Sequence, residues 1–325
     1  MDKKQLKDLT VKQIGLYLNL LNIIKEHCFV IAIDKGIESK NFLVSVDDKN
    51  NFKYILKVYS ESDIEELKYE EEILRKLDSV TKKKFFPVIV KRTFYINYKP
   101  SILLKYIPGR ILSKKDISPR LIKKIAKKHA EMHYLFFHFN PRHKKSRFSI
   151  FDFSFVDLYV RNKKSPYYKI LHDAIIILRQ ESKLFAKVNF KKSIIHEDLN
   201  IENIIVTDNG DVNFIDFGES HRAEIISDIA IAIKEIIITN RGVNINLIQD
   251  YLDSYQKVTP INKDEIGALP FLIRRRTVFM LAYLLNKQET NKDINLRGKI
   301  EIEASVLRSL QKDNYLIENF IKKYE

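Results

Sequence analysis

At 325 residues, 45% of them apolar and 30% charged, the chain is long enough for two lobes around a substantial core, and no run of about eighteen apolar residues offers a membrane span. Lys and Arg number 57 against 42 Asp and Glu, a formal +15 that favours anionic partners such as a nucleotide; no nucleic-acid module accompanies the charge, so nucleic acid is not expected as the main partner. The lone Cys28 excludes an internal disulfide and the polar start MDKKQLKDLT lacks the apolar core of a secretion signal, so a cytoplasmic monomer or homodimer is expected.

Thr10 with Gln13 three residues on has capping-box spacing, and Ile14, Tyr17, Leu18, Leu21 and Ile24 follow at helical intervals, so a helix opens the chain. Three short β-rich runs come next, CFVIAI, NFLVSV and KYILKVY. Between the first two lies the polar turn DKGIESK, with Gly36 its only glycine, where backbone can approach an anion less freely than in a G-x-G-x-x-G loop. Lys57 interrupts the apolar strand ILKVY, and a buried ammonium needs a partner. The following IEELKYEEEILRKL predicts a helix with Leu67, Leu74 and Leu77 inside; Glu70 shares that side, which pairs it with Lys57, while Glu71 and Glu72 fall to the solvated side.

Two more β-rich runs, VIVKRTFYI and SILLKYI, lead to Pro108-Gly109, making Leu104 to Gly109 the connection from a β-rich to a helical part. Residues 119–138 read as a helix carrying His129 and His133, which are expected to be packed and hydrogen-bonded: HAEMH has its glutamate in the wrong place for a zinc-protease helix. Residues 139–165 show no clear period and predict a loop or short helices, and 166–188 return to helix.

The stretch IIHEDLNIENIIVTDNGDVNFIDFG, residues 194–218, carries the chemistry. It predicts two short strands, Asn203 to Thr207 and Val212 to Ile215, joined by a two-residue turn at Asp208-Asn209-Gly210. The order H-x-D-x-x-x-x-N then D-F-G suits phosphoryl transfer. Asp198 would accept the proton of an attacking hydroxyl, Asn203 and Asp216 would give Mg2+ its few protein oxygens, and His196 would order the loop. Lys57, held by Glu70, would steady the phosphates. Further on, IISDIAIAIKEIIIT predicts a buried helix with Asp228 at its start, and residues 244–325 predict three helices. Arg274-Arg275-Arg276 offers a fork for a substrate carboxylate, though such a run is more often solvated or paired with acidic neighbours.

HEDLNIENIIV, IDFGESHR and SDIAIAI resemble the aminoglycoside phosphotransferase and choline kinase superfamily, relatives of the protein kinases that act on small molecules, and in particular its hydroxylysine kinase and type II homoserine kinase branch. The resemblance implies a protein-kinase-like α+β fold, with a β-rich N-lobe over 1–105 and a helical C-lobe over 106–325. It implies ATP or GTP bound by Gly36, Lys57, Glu70, Leu104 and Tyr106, and Asp228 as the brace of the catalytic loop. The expected function is transfer of phosphate to a small hydroxylated metabolite, an amino alcohol or hydroxy-amino acid, with an antibiotic kinase as the alternative. Glu197, where most members of the resembled superfamily carry Gly, and Glu219 are the candidates to meet the substrate. A protein kinase fits less well, because only nine residues separate Gly218 from Asp228 and no A-P-E anchor follows; a pseudokinase is disfavoured by the joint presence of Lys57, Glu70, Asp198, Asn203 and Asp216.

Overall fold

The structure, a computed structural model, describes residues 10–33, 39–46, 52–81, 86–142, 149–160, 165–290 and 295–322. In chain order its elements are α1 (Val11–Leu20), β1 (Cys28–Ile33), β2 (Ser39–Val46), β3 (Phe52–Tyr59), α2 (Ile64–Thr81), β4 (Ile89–Ile96), β5 (Lys99–Lys105), β6 (Arg110–Ile111), α3 (Pro119–Phe136), α4 (Ser154–Val160) and α5 (Tyr168–Phe185). There follow β7 (Lys192–Ile195), β8 (Ile204–Val206), β9 (Val212–Phe214), β10 (His221–Glu224), α6 (Ile225–Ala232), a π-helical turn (Ile233–Ile237), α7 (Ile245–Gln256), α8 (Lys263–Gly267), α9 (Leu269–Thr290) and α10 (Arg297–Ile321). They form two compact units: Met1–Ile111 with Asn140–Lys145 and Ile204–Ser220, and Leu112–Phe139 with Ser146–Asn203 and His221–Glu325.

The first unit is built on an antiparallel sheet ordered β1-β2-β3-β5-β4. Thr10 and Gln13 close the capping box at the start of α1, which lays the fully buried Ile14 and Leu18 against Val44, Leu56, Val58 and Leu103 of the sheet. Burial of each such side chain contributes about 1.5–3 kcal/mol, which outweighs the weak intrinsic stability of a ten-residue helix. Helix α2 buries Leu67, Ile73, Leu74 and Leu77, and Glu70 on the same side. Its neighbours Glu71 and Glu72, expected on the solvated side, are half-buried and hydrogen-bonded. Glu71 accepts from the Thr93 amide and hydroxyl at 3.1 and 2.7 Å, and Glu72 from the Arg142 amide at 2.8 Å, so backbone donors from nearby segments claim them.

Strands β8 and β9 pair with Val206 opposite Val212, and β6 pairs with β8. The joint is not the two-residue turn expected. Three residues separate Thr207 and Asp211, which are linked by a 3.0 Å backbone bond, and only Gly210 takes a positive φ, 76°. That is a turn closed by one left-handed glycine, a geometry that also satisfies an Asn-Gly pair. Gly109, at φ 151°, lies so near β8 that a Cβ there would sit 2.7 Å from the Val206 carbonyl oxygen, so no other residue fits without displacement.

In the second unit, α3 starts at Pro119 behind the N-cap Ser118 and turns Ile122, Ile125, His129, Met132, His133 and Phe136 inward. It packs on α7, while α9 packs on α5, α6 and α10. Every residue of α6 is buried, as a helix apolar on all sides must be. Among its described residues the tail forms four helices rather than three: the short α8 is capped by Asn262 and by Glu265, which is sealed from solvent and also accepts the Lys191 amide at 2.6 Å. Among the described residues no helix is long and apolar enough to cross a membrane.

Candidate active site

In the first unit, Lys57 projects from β3 and is only 5% exposed. Its ammonium donates to both Glu70 oxygens at 2.8 and 2.9 Å and to Asp216 Oδ1 at 3.0 Å. The Tyr59 hydroxyl also bonds Glu70. Burial alone would lower the lysine's pKa, but the charges of Asp216 and Glu70 outweigh it and hold the group well above its ordinary value. One fixed cation therefore faces two carboxylates, of which Glu70 is sealed and the Asp216 side chain is 52% exposed.

Asp216 itself adopts φ 65°, a left-handed conformation that aspartate takes more readily than most residues other than glycine. Phe217 is buried and meets Phe86 edge-on, ring centres 5.8 Å apart. Glu219 is half-buried. Leu104 is buried in β5, the Tyr106 amide donates to the Lys53 carbonyl at 2.8 Å, and the Tyr106 ring meets that of Phe52 at 5.9 Å. Gly36 lies outside the described residues.

In the second unit the loop after β7 holds His196, Glu197, Asp198 and Asn203. Asp228, at the start of α6 and fully buried, accepts the His196 amide at 2.7 Å and the Glu197 amide at 2.8 Å. Its Oδ2 also meets Nε2 of His129 at 2.8 Å and of His133 at 3.0 Å, and the far nitrogens of these rings meet the hydroxyls of Tyr251 and Tyr255, each at 2.5 Å. A carboxylate only accepts, so each Nε2 carries a proton directed at Asp228. Burial together with the neighbouring His129 lowers His133 to about 4. Burial would raise Asp228, but the two histidines hold it well below the carboxylate range. The three groups are close enough to hold a metal, within 4.8 Å of one another, yet hydrogen bonds already engage all four ring nitrogens and both carboxylate oxygens. Sequence reasoning missed Tyr251 and Tyr255. The available signal was the matching four-residue spacing of the histidines on α3 and the tyrosines on α7.

The Asp198 side chain is 38% exposed. Its Oδ2 accepts from the amides of Asn200 and Asn203, both at 3.0 Å, and its Oδ1 from Arg276 Nη2 at 3.0 Å. Burial raises its pKa against the opposing Arg276 charge. Asn203 also donates to the Asp198 carbonyl at 2.8 Å. Both partners of that amide nitrogen are pure acceptors, which fixes its NH2 and turns its oxygen the other way, a donor that suits a hard cation.

Glu197 holds φ 66° at the position where the resembled superfamily mostly has Gly. Its carboxyl is raised by burial, with the charges of His221 and Arg276 opposing. None of the Arg274–Arg276 run is an idle surface charge. Arg274 is buried and pairs with Glu181, Arg275 lies over the Phe279 ring at 4.2 Å with burial lowering it to about 10, and Arg276 joins Glu235 at 3.1 Å as well as Asp198.

No curated protein matches the sequence. The profile of a family described as "Phosphotransferase enzyme family" matches residues 30–265. Among solved structures, a choline kinase from Cryptosporidium parvum is 16% identical, with TM-score 0.65 over 96% of this chain and 98% of that one. An amicoumacin kinase bound to AMP-PNP and Ca2+ is 14% identical, with TM-score 0.66 over 98% and 96%. Wild-type aminoglycoside 2'-phosphotransferase-IIIa, as its GDP complex, is 13% identical, with TM-score 0.68 over 94% and 100%. The α+β architecture is thus that of kinase-like proteins.

Proposed function

We propose, from the premise that the chain belongs to the phosphotransferase enzyme family, that it transfers the terminal phosphoryl group of ATP or GTP to a hydroxyl of a small metabolite. Asp198 receives the hydroxyl proton as the oxygen attacks. The observation that carries this reading is the state of its carboxylate, held by Asn200, Asn203 and Arg276 and yet 38% exposed, oriented and still open to an acceptor. Lys57, kept cationic and aimed by Glu70, steadies the phosphates. Mg2+, when bound, neutralises phosphate oxygens; the amide oxygen of Asn203 and the carboxylate of Asp216 are the donors that suit it. Asp228 fixes the loop's backbone, and with it the place of Asp198.

For the acceptor, an amino alcohol or hydroxy-amino acid is favoured by Glu197. A carboxylate kept on a left-handed backbone beside the proton acceptor has a use that glycine cannot serve, and an ammonium is its natural counterpart. Glu219 is a second candidate for the same contact. The likeness to a choline kinase is compatible with this class, and the likeness to an aminoglycoside phosphotransferase keeps an antibiotic acceptor as the competing reading. The test is nucleotide consumption with Mg2+ against hydroxylysine, homoserine, choline and kanamycin in parallel. Consumption stimulated by one of the first three supports the reading, stimulation by kanamycin alone replaces it with the antibiotic one, and no stimulation by any of them contradicts both.

A further inference from the structure

Lys234 and Glu235 stand inside the apolar run IAIKEIIIT, where a helix packed on all sides has no place for charge. They lie in the π-helical turn Ile233–Ile237, and such turns, rare and costly in hydrogen-bond geometry, recur at functional sites. Lys234 bonds Glu303 of α10 at 2.8 Å and Glu235 at 3.2 Å; Glu235 bonds Arg276 of α9 at 3.1 Å; Arg276 bonds Asp198 at 3.0 Å. Side-chain exposures along the chain are 3% for Lys234, 14% for Glu303, 16% for Glu235 and 15% for Arg276.

A buried row of alternating charges is a poor way to gain stability, since desolvation offsets most of the attraction and apolar side chains of similar size often serve as well. What it supplies is direction. A proton acceptor must hold an oxygen within hydrogen-bond reach of the attacking hydroxyl, and the two asparagine amides fix only Oδ2 of Asp198. The other oxygen is set by Arg276, whose planar fork reaches Glu235 through Nε, Asp198 through Nη2 and the Glu197 carbonyl through Nη1 at 3.4 Å.

We propose that the row Glu303–Lys234–Glu235–Arg276 is a positioning device that sets the plane of the Asp198 carboxylate, with Arg276 the member in contact and Glu235 the one that aims it. This rests on Asp198 being the proton acceptor. The test compares wild type with Arg276→Met, Arg276→Lys, Glu235→Gln and Asp198→Asn, reading phosphate release from MgATP with water as acceptor, the KM for MgATP and the melting temperature. A crystal structure of the Arg276→Met protein completes it.

Arg276→Met should slow turnover about a hundredfold, with KM within about twofold of wild type; the melting temperature falls, because Glu235 keeps only Lys234 as a cationic partner, so rates are compared well below that transition. Lysine, a point charge that cannot span three partners, should restore part of the rate, and Glu235→Gln should show a smaller loss in the same direction. In the Arg276→Met crystal the Asp198 carboxylate should leave its present orientation. An unchanged carboxylate, or wild-type turnover in Arg276→Met while Asp198→Asn is inactive, overturns the positioning device alone. Wild-type turnover in Asp198→Asn overturns the reading beneath it.

Discussion

Two buried charged clusters, one in each unit, are built on opposite plans. Around Lys57 one cation is shared between the sealed Glu70 and the half-exposed Asp216, so the cluster ends at solvent. Around Asp228 one anion is surrounded by two histidines, two tyrosines behind them and two backbone amides, and the carboxylate and both rings are fully buried. The first cluster retains an outlet for a ligand. The second is closed, and its output is the backbone of the loop that bears Asp198. Buried charge can thus aim a side chain outward or hold a main chain still, and the exposure of the last member tells which.

The contrast breaks most visibly at Asp228. Asp228→Ala strands two imidazole protons and two amide protons in a dry interior, and should cost about 3–5 kcal/mol in chemical denaturation together with phosphate transfer. Asp216→Asn should weight the two effects the other way: transfer falls at least about a hundredfold while the denaturation midpoint drops far less than in Asp228→Ala, because the lost charge is at the solvent-facing end of the cluster and Glu70 still pairs the buried ammonium.

pH separates the two further. His133 and Asp228 have folded pKa values below their unfolded ones, so the stability they contribute is present above about 6.5 and is lost as pH falls through about 4 and lower. Lys57 is raised, so its contribution is present below the ordinary lysine value near ~10.4 and is lost only as pH climbs past it. Denaturation midpoints across the acid and alkaline limbs should follow these signs. In Asp228→Ala the acid limb should shift, and the alkaline limb should not.

The smallest effect is expected at Glu197→Gly. Relief of the left-handed backbone should stabilise the protein by about 1 kcal/mol, while KM for an ammonium-bearing acceptor rises more than KM for ATP. Equal changes in both KM values would remove Glu197 from acceptor binding.

Most of the element order was legible because the period of apolar residues changes where the structure changes, as between KYILKVY and IEELKYEEEILRKL. The Lys57–Glu70 pair was legible for a chemical reason: an ammonium in an apolar strand needs a carboxylate, and only one glutamate of the next helix shares its buried side. The true turn at Gly210 was less so, since Asn-Gly serves two hairpin geometries and loop length decides between them. The roles of Glu71, Glu72, Tyr251, Tyr255 and Arg276 were not legible. Each is settled by partners 22 to 122 residues away, and single-element periodicity carries no such information. The short α8 lay hidden for another reason: five residues are too few to show a period, and only the Asn262–Glu265 cap marks it.

The central claim is that Asp198 takes the acceptor's proton, and Asp198→Asn tests it most directly, with MgATP affinity and turnover measured on the same preparation. Asparagine keeps the shape and loses the base, so affinity for MgATP should stay within about twofold while turnover falls by about 10²–10⁴. Turnover equal to wild type would contradict the account.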